Sequence, residues 1–144
     1  MNKVNLIRRF ASEIAGEHVY IERERSEWKS CMYDNKMRIG LPKDLMVNDN
    51  LDKLFRKNFV QRCPLAQGFS NVTLSLLHEL GHQFHREEYI FFDAVVYNNT
   101  FGEAYFNLLP EKVATDWAIA WLQVPKNRKL AKKFERKFFG YGSN

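Results

Sequence analysis

Residues 78–82 read His-Glu-Leu-Gly-His. Two imidazoles at i and i+4 lie one above the other on one side of a helix, so His78 and His82 can both reach a single ion through a ring nitrogen. Glu79 falls beside the coordination position that such a pair leaves open, where its carboxylate can take a proton as a general base. All three sit in the apolar stretch "SLLHELGHQF", residues 75–84. Burying a polar group without a partner costs about 1–3 kcal/mol. A divalent cation answers all three at once, and zinc suits the donors. The competing reading is two core histidines satisfied by ordinary hydrogen bonds.

A catalytic zinc takes three protein ligands and keeps one position open. The downstream candidates for the third are Asp93, Glu103, Glu111 and Asp116, together with His85. His85 is turned about 60° from the His78/His82 line, which points it away from the same ion; it reads either as supporting a ligand from behind or as exposed, with exposure preferred, and Glu87 and Glu88 read as solvated. Glu111 is preferred, because Ala114 and Ala118 follow it and would let its helix approach closely. Thr115, on the face of Glu111, is placed to hydrogen-bond a ligand histidine from behind, with Asp116 as a rival. Gly81 costs about 1 kcal/mol in mid-helix, which suggests that something packs against its missing side chain.

The elements that must hold these groups follow from periodicity. Val4, Ile7, Phe10, Ala11 and Ile14 recur at helical spacing up to a C-capping Gly16, which predicts a helix over 3–15. Alternation in "HVYIERER" and two short runs around Asp34-Asn35 predict a three-stranded antiparallel sheet over 18–41, closed by Pro42. Residues 43–68 carry a weaker pattern: a short helix capped by Asn48 or Asn50, then a loop at "QRCPLAQG". From Phe69 to about Arg86 the helix is apolar on most sides and therefore central. Residues 87–109 are ambiguous and read as wrapping over the surface. Pro110 opens a second buried helix that runs until Pro125 interrupts, and a basic amphipathic helix occupies about 126–139, built on Leu130, Phe134 and Phe138, before the terminal residues fray.

At 144 residues with 45% hydrophobic content, the chain fits one α+β domain over 1–144. Two cysteines without CxxC spacing, Cys31 and Cys63, read as reduced thiols of a cytoplasmic protein. No apolar run reaches the length of a signal-peptide core or a membrane span. The net charge of +5 assists contact with polyanions without requiring it. Seven Lys or Arg residues lie between 126 and 137, where they could neutralise phosphates. A helix docked through Phe134 and Phe138 with a solvated basic face is the preferred reading of that tail.

"HELGH" at 78–82 and "EKVATDWAIAWLQVP" at 111–125 together resemble the ImmA/IrrE family of zinc metallopeptidases, a gluzincin-type group. The second segment matches that family's glutamate helix at Glu111, Ala114, Ala118 and Leu122, with Trp117 at the aromatic position. Thr115 stands where the family commonly has Asn, and Pro125 falls one residue late. The resemblance implies a minimal zincin-like domain in which the small sheet packs against the active-site and glutamate helices. It implies His78, His82 and Glu111 as zinc ligands and Glu79 as general base. It also implies peptide hydrolysis, with a repressor-like DNA-binding regulator as substrate and a mobile element as source. An exposed edge of the 18–41 sheet could hold that substrate as an added strand, and Tyr97 or Tyr105 could steady the oxyanion. The alternative is a zinc-containing binding or inhibitor protein of a mobile element without useful turnover.

Overall fold

The computed structural model describes residues 2–25, 27–33, 36–45 and 50–140. Helix α1, Lys3–Ala15, begins where the Asn2 side chain accepts the Asn5 N–H at 2.8 Å and ends at Gly16 with φ 72°, the left-handed C-cap that only glycine adopts cheaply. Its inward residues Ile7, Phe10 and Ala11 enter the core. Three strands follow: β1 Tyr20–Arg25, β2 Lys29–Tyr33 and β3 Lys36–Pro42.

The sheet corrects the predicted antiparallel arrangement. Its order is β1-β3-β2, with β2 antiparallel to β3 and β1 parallel to it. Consecutive strands pair only about two-thirds of the time, and here the most apolar strand takes the centre. Met37, Ile39 and Leu41 alternate onto the buried face of β3, and a partner on each side satisfies its backbone. The charged β1 stays at an edge, where a side chain such as Arg23 reaches solvent. The predicted turn at Asp34-Asn35 and the predicted Asn48 cap lie outside the described residues.

Helix α2, Asn50–Arg62, is longer than predicted. The predicted loop after it holds a 3-10 turn, Pro64–Gly68, which buries Ala66. Arg56 of α2 fastens this turn by donating to the carbonyls of Phe69 and Gln67. Helix α3, Asn71–Phe84, starts at Ser70, whose hydroxyl accepts the Thr73 N–H. It is buried nearly all round, as its apolar circumference predicts. Between α3 and α5 the chain makes two 3-10 turns and the one-turn helix α4, Ala94–Asn98. Helix α5 spans Leu109–Leu122 with Pro110 in its first turn. Pro125 both separates it from α6 and opens α6, Pro125–Phe139, which ends on Gly140 at φ 75°.

The core is continuous from α1 through β3, α2, α3 and α5 to α6. Phe10 stacks on Phe134 with ring centroids 4.4 Å apart, so α6 is docked through its phenylalanines as expected. Cys63 is a buried free thiol; the side chain of Cys31 lies outside the described ones. Among the described residues, no helix is long and apolar enough to cross a membrane.

Candidate metal centre

The most extensive helix pairing in the molecule is α3 against α5. A Cβ placed on Gly81 would collide with the Ala114 carbonyl oxygen and lie 3.0 Å from the Ala114 carbonyl carbon and Cα. Only a residue without a side chain permits this approach. It sets the buried first turn of α5, which carries Glu111, directly over His78 and His82 of α3.

Glu111 bridges the two imidazoles. Its Oε1 lies 3.1 Å from His78 Nε2 and its Oε2 lies 3.1 Å from His82 Nε2. The rings are 4.7 Å apart at 89° to one another. Zinc-type bonds of about 2.0–2.2 Å at tetrahedral angles separate neighbouring ligand atoms by roughly 3.3 Å, close to each of the two imidazole–carboxylate spacings. The ligating atoms of His78, Glu79 and His82 also lie within 4.8 Å of one another, which makes Glu79 a rival third donor on distance alone. Glu111 is nearer to both imidazoles, which leaves the Glu79 carboxylate beside the cluster.

The far side of each ring is held as well. Tyr89 donates its hydroxyl proton to the His82 carbonyl, which leaves the Tyr89 oxygen to accept from His82 Nδ1 at 3.1 Å. That contact keeps the Nδ1 proton in place, so Nε2 is the nitrogen that faces Glu111 and whose proton would leave for a metal ion. Thr115 Oγ1 lies 2.9 Å from His78 Nδ1 and can do the same for the other ring. The Phe55 ring meets His78 edge-on at 5.2 Å. Tyr97 donates its hydroxyl to Glu111 Oε2, and Tyr105 lies behind Tyr97 at 3.4 Å.

Burial alone would raise the Glu111 carboxyl, but hydrogen bonds from His78 and His82 outweigh it and hold Glu111 well below the usual carboxylate range. Burial would lower His82, yet the bond to Glu111 and its charge raise it above the ordinary imidazole value. Glu79 is raised chiefly by burial, only partly offset by the two histidines. A carboxylate moved toward neutral pH is suited to exchanging protons with water. Burial and the Glu111 charge push Tyr89 up to about 12 and raise Tyr97 and Tyr105 as well. All three phenols therefore keep their protons and act as donors.

The remaining sequence candidates are engaged elsewhere. Asp93 caps α4 by accepting the Val95 and Val96 N–H groups, Glu103 pairs with Lys57 at 3.5 Å on the surface, and Asp116 pairs with Arg62. His85 is half-exposed and pairs with Glu88 at 3.0 Å. Tyr89 and Phe55 were not legible as site residues, since neither shares a helical face with the motif. Gln83, one residue past His82, donates to Ser30 of β2 and so ties the edge strand to the site helix.

A cleft of about 770 Å³ opens over the cluster and is bounded by Glu79, His82, Glu111, Tyr97, Trp28 and Ser30. The arrangement can hold a divalent cation and present a basic carboxylate to whatever occupies the cleft. No family model, curated protein or solved structure matches the chain.

Proposed function

We propose that the protein is a zinc-dependent endopeptidase of the ImmA/IrrE type, acting on a regulatory or repressor-like protein. The observation that carries this reading is the convergence of His78 Nε2 and His82 Nε2 on the Glu111 carboxylate, each at 3.1 Å, beside Glu79. Two imidazoles and one carboxylate are a donor set that zinc accepts. Bound there, zinc would supply Lewis acidity toward a carbonyl and toward water.

The protein's own groups do the rest. Glu79 takes the proton of the attacking water and returns it to the leaving amine. Thr115 and Tyr89 hold the imidazoles in the tautomer that keeps Nε2 free, and Tyr97 steadies Glu111 from the cleft side. β2 is an edge strand whose Lys29 and Ser30 line the cleft, so an extended peptide can add to it by backbone hydrogen bonds and pass over Glu79. Tyr105, close to Tyr97, is available as a donor to the oxygen of the reacting carbonyl.

The test is cleavage of β-casein by the zinc-loaded protein, by its chelated form and by Glu79→Gln. The expected result is cleavage that chelation abolishes, zinc restores and the substitution removes without loss of metal. Stoichiometric zinc with no cleavage of casein or of any repressor-like protein would instead support the binding-protein alternative.

A further inference from the structure

We infer that the outer face of α6 is a binding surface for the phosphate backbone of duplex DNA. This stands apart from the metal chemistry and rests on how charge is segregated in the fold. Seven of the 22 Lys and Arg residues and one of the 17 Asp and Glu residues lie in α6, so the rest of the chain carries 15 positive against 16 negative charges. The positive balance of the whole protein therefore resides in this one helix.

Its cations divide into two groups. Lys132 bonds the Gly68 carbonyl and Arg128 the Leu122 carbonyl, and both help dock the helix. Lys126, Lys129, Lys133, Arg136 and Lys137 are exposed, and no described carboxylate pairs with any of them. At 100° per residue these five fall within about 100° of the circumference, almost opposite the buried Ala131, Phe134 and Phe138. The helix's own acid, Glu135, is turned inward and bonded to Ser70 and Thr73, so it does not dilute the stripe.

The stripe is about 17 Å long at 1.5 Å per residue. A duplex presents one phosphate per about 3.4 Å of axis on each strand, hence about five over that length. Five exposed cations on one face match in number the phosphates within reach. An anionic membrane is the poorer fit, because an interfacial helix needs a free apolar face and that of α6 is buried against Phe10. A single strand is also poorer, because no described aromatic ring stands on the stripe for bases to stack on.

The test is fluorescence anisotropy with a labelled duplex of about 20 base pairs at several salt concentrations, using the full chain. Binding should weaken with salt with a log–log slope of about −4, as four to five phosphate contacts require. K129A/K133A/R136A should bind at least tenfold more weakly with a slope nearer −1 or −2, while its melting temperature and metal content stay unchanged. K129R/K133R/R136K should bind like the wild type, and so should the charge-matched R23A/K43A/K53A. The inference is overturned if the wild type fails to bind at 50 mM salt, if the stripe variant binds as well as the wild type, or if the charge-matched control loses as much. Stripe-dependent binding to phosphatidylserine vesicles without duplex binding would likewise overturn it.

Discussion

Helix α3 meets a buried carboxylate in two places, and the two are built differently. At its N-terminus Glu135 of α6 accepts the Ser70 N–H and the Thr73 hydroxyl, each at 2.6 Å. In its C-terminal half Glu111 of α5 faces His78 and His82, each at 3.1 Å. Both acids are 4% exposed. The first pair of donors has no other protonation state near neutral pH, and the anion also sits at the favourable end of the helix dipole, so the contact is closed and structural. Imidazoles can give up their protons, so the same buried anion there can serve as one of three converging lone-pair donors. Burial of a carboxylate does not mark a site. The exchangeability of its partners does.

Substitutions can break that contrast. Glu79→Gln should leave metal content intact and slow peptide cleavage by about 10²–10⁴-fold, the usual worth of a positioned general base; steady-state cleavage of a fluorogenic peptide measures it. Gly81→Ala puts a methyl group into the Ala114 carbonyl and should cost about 3 kcal/mol, at the upper end for overpacking, as read by urea unfolding. Glu135→Ala should cost about 2–3 kcal/mol through two charge-assisted bonds and leave metal content unchanged. Glu111→Ala should do the reverse, abolishing metal uptake in elemental analysis. Should Glu135→Ala release the metal as well, the two ends of α3 are not independent and the contrast fails.

Finer changes sharpen it. Thr115→Val or Tyr89→Phe removes the group behind one imidazole and should weaken metal binding about 10–100-fold, measured by competition with a chromophoric chelator. The smallest effect concerns pH. Glu111 is depressed, so its contribution to the metal-free fold is present above the ordinary carboxyl value of 4.5 and fades only as pH falls through its lower value in the folded state. His82 is raised, so its contribution is full below 6.5 and fades as pH rises through its value in the folded state. Metal binding runs the other way, because the His82 proton must leave first. The gap in unfolding free energy between metal-loaded and chelated protein, read by urea titration, should therefore widen from pH 6 to pH 8, by up to about 1.4 kcal/mol per pH unit for one displaced proton.

The helices of the site were legible because their periodicity and their polar exceptions coincide. The span of α3, the opening of α5 at Pro110 and the close approach at Gly81 all followed from residue type and spacing. Glu111 was favoured by the alanines behind it, and the structure sets it against both histidines. What could not be read was anything that depends on distant pairing. The parallel β1–β3 ladder escapes a rule that joins neighbours in sequence, because the choice of central strand depends on which face the helices cover. Tyr89 and Phe55 reach His82 and His78 from segments with no periodic relation to the motif. Residues 87–109 have too many aromatics for a plain loop and too little period for a helix, which matches the short turns found there.

The missing side chain at Gly81 carries a consequence for ionic size. Because the backbone of Ala114 rests on that position, the separation of the two helices that carry Glu111 and the imidazoles is fixed by backbone contact. Such a caliper would suit a cation with bonds near 2 Å and would be too narrow for calcium, whose oxygen ligands stand at about 2.3–2.6 Å. Discrimination among ions would then be written into a residue that never touches one.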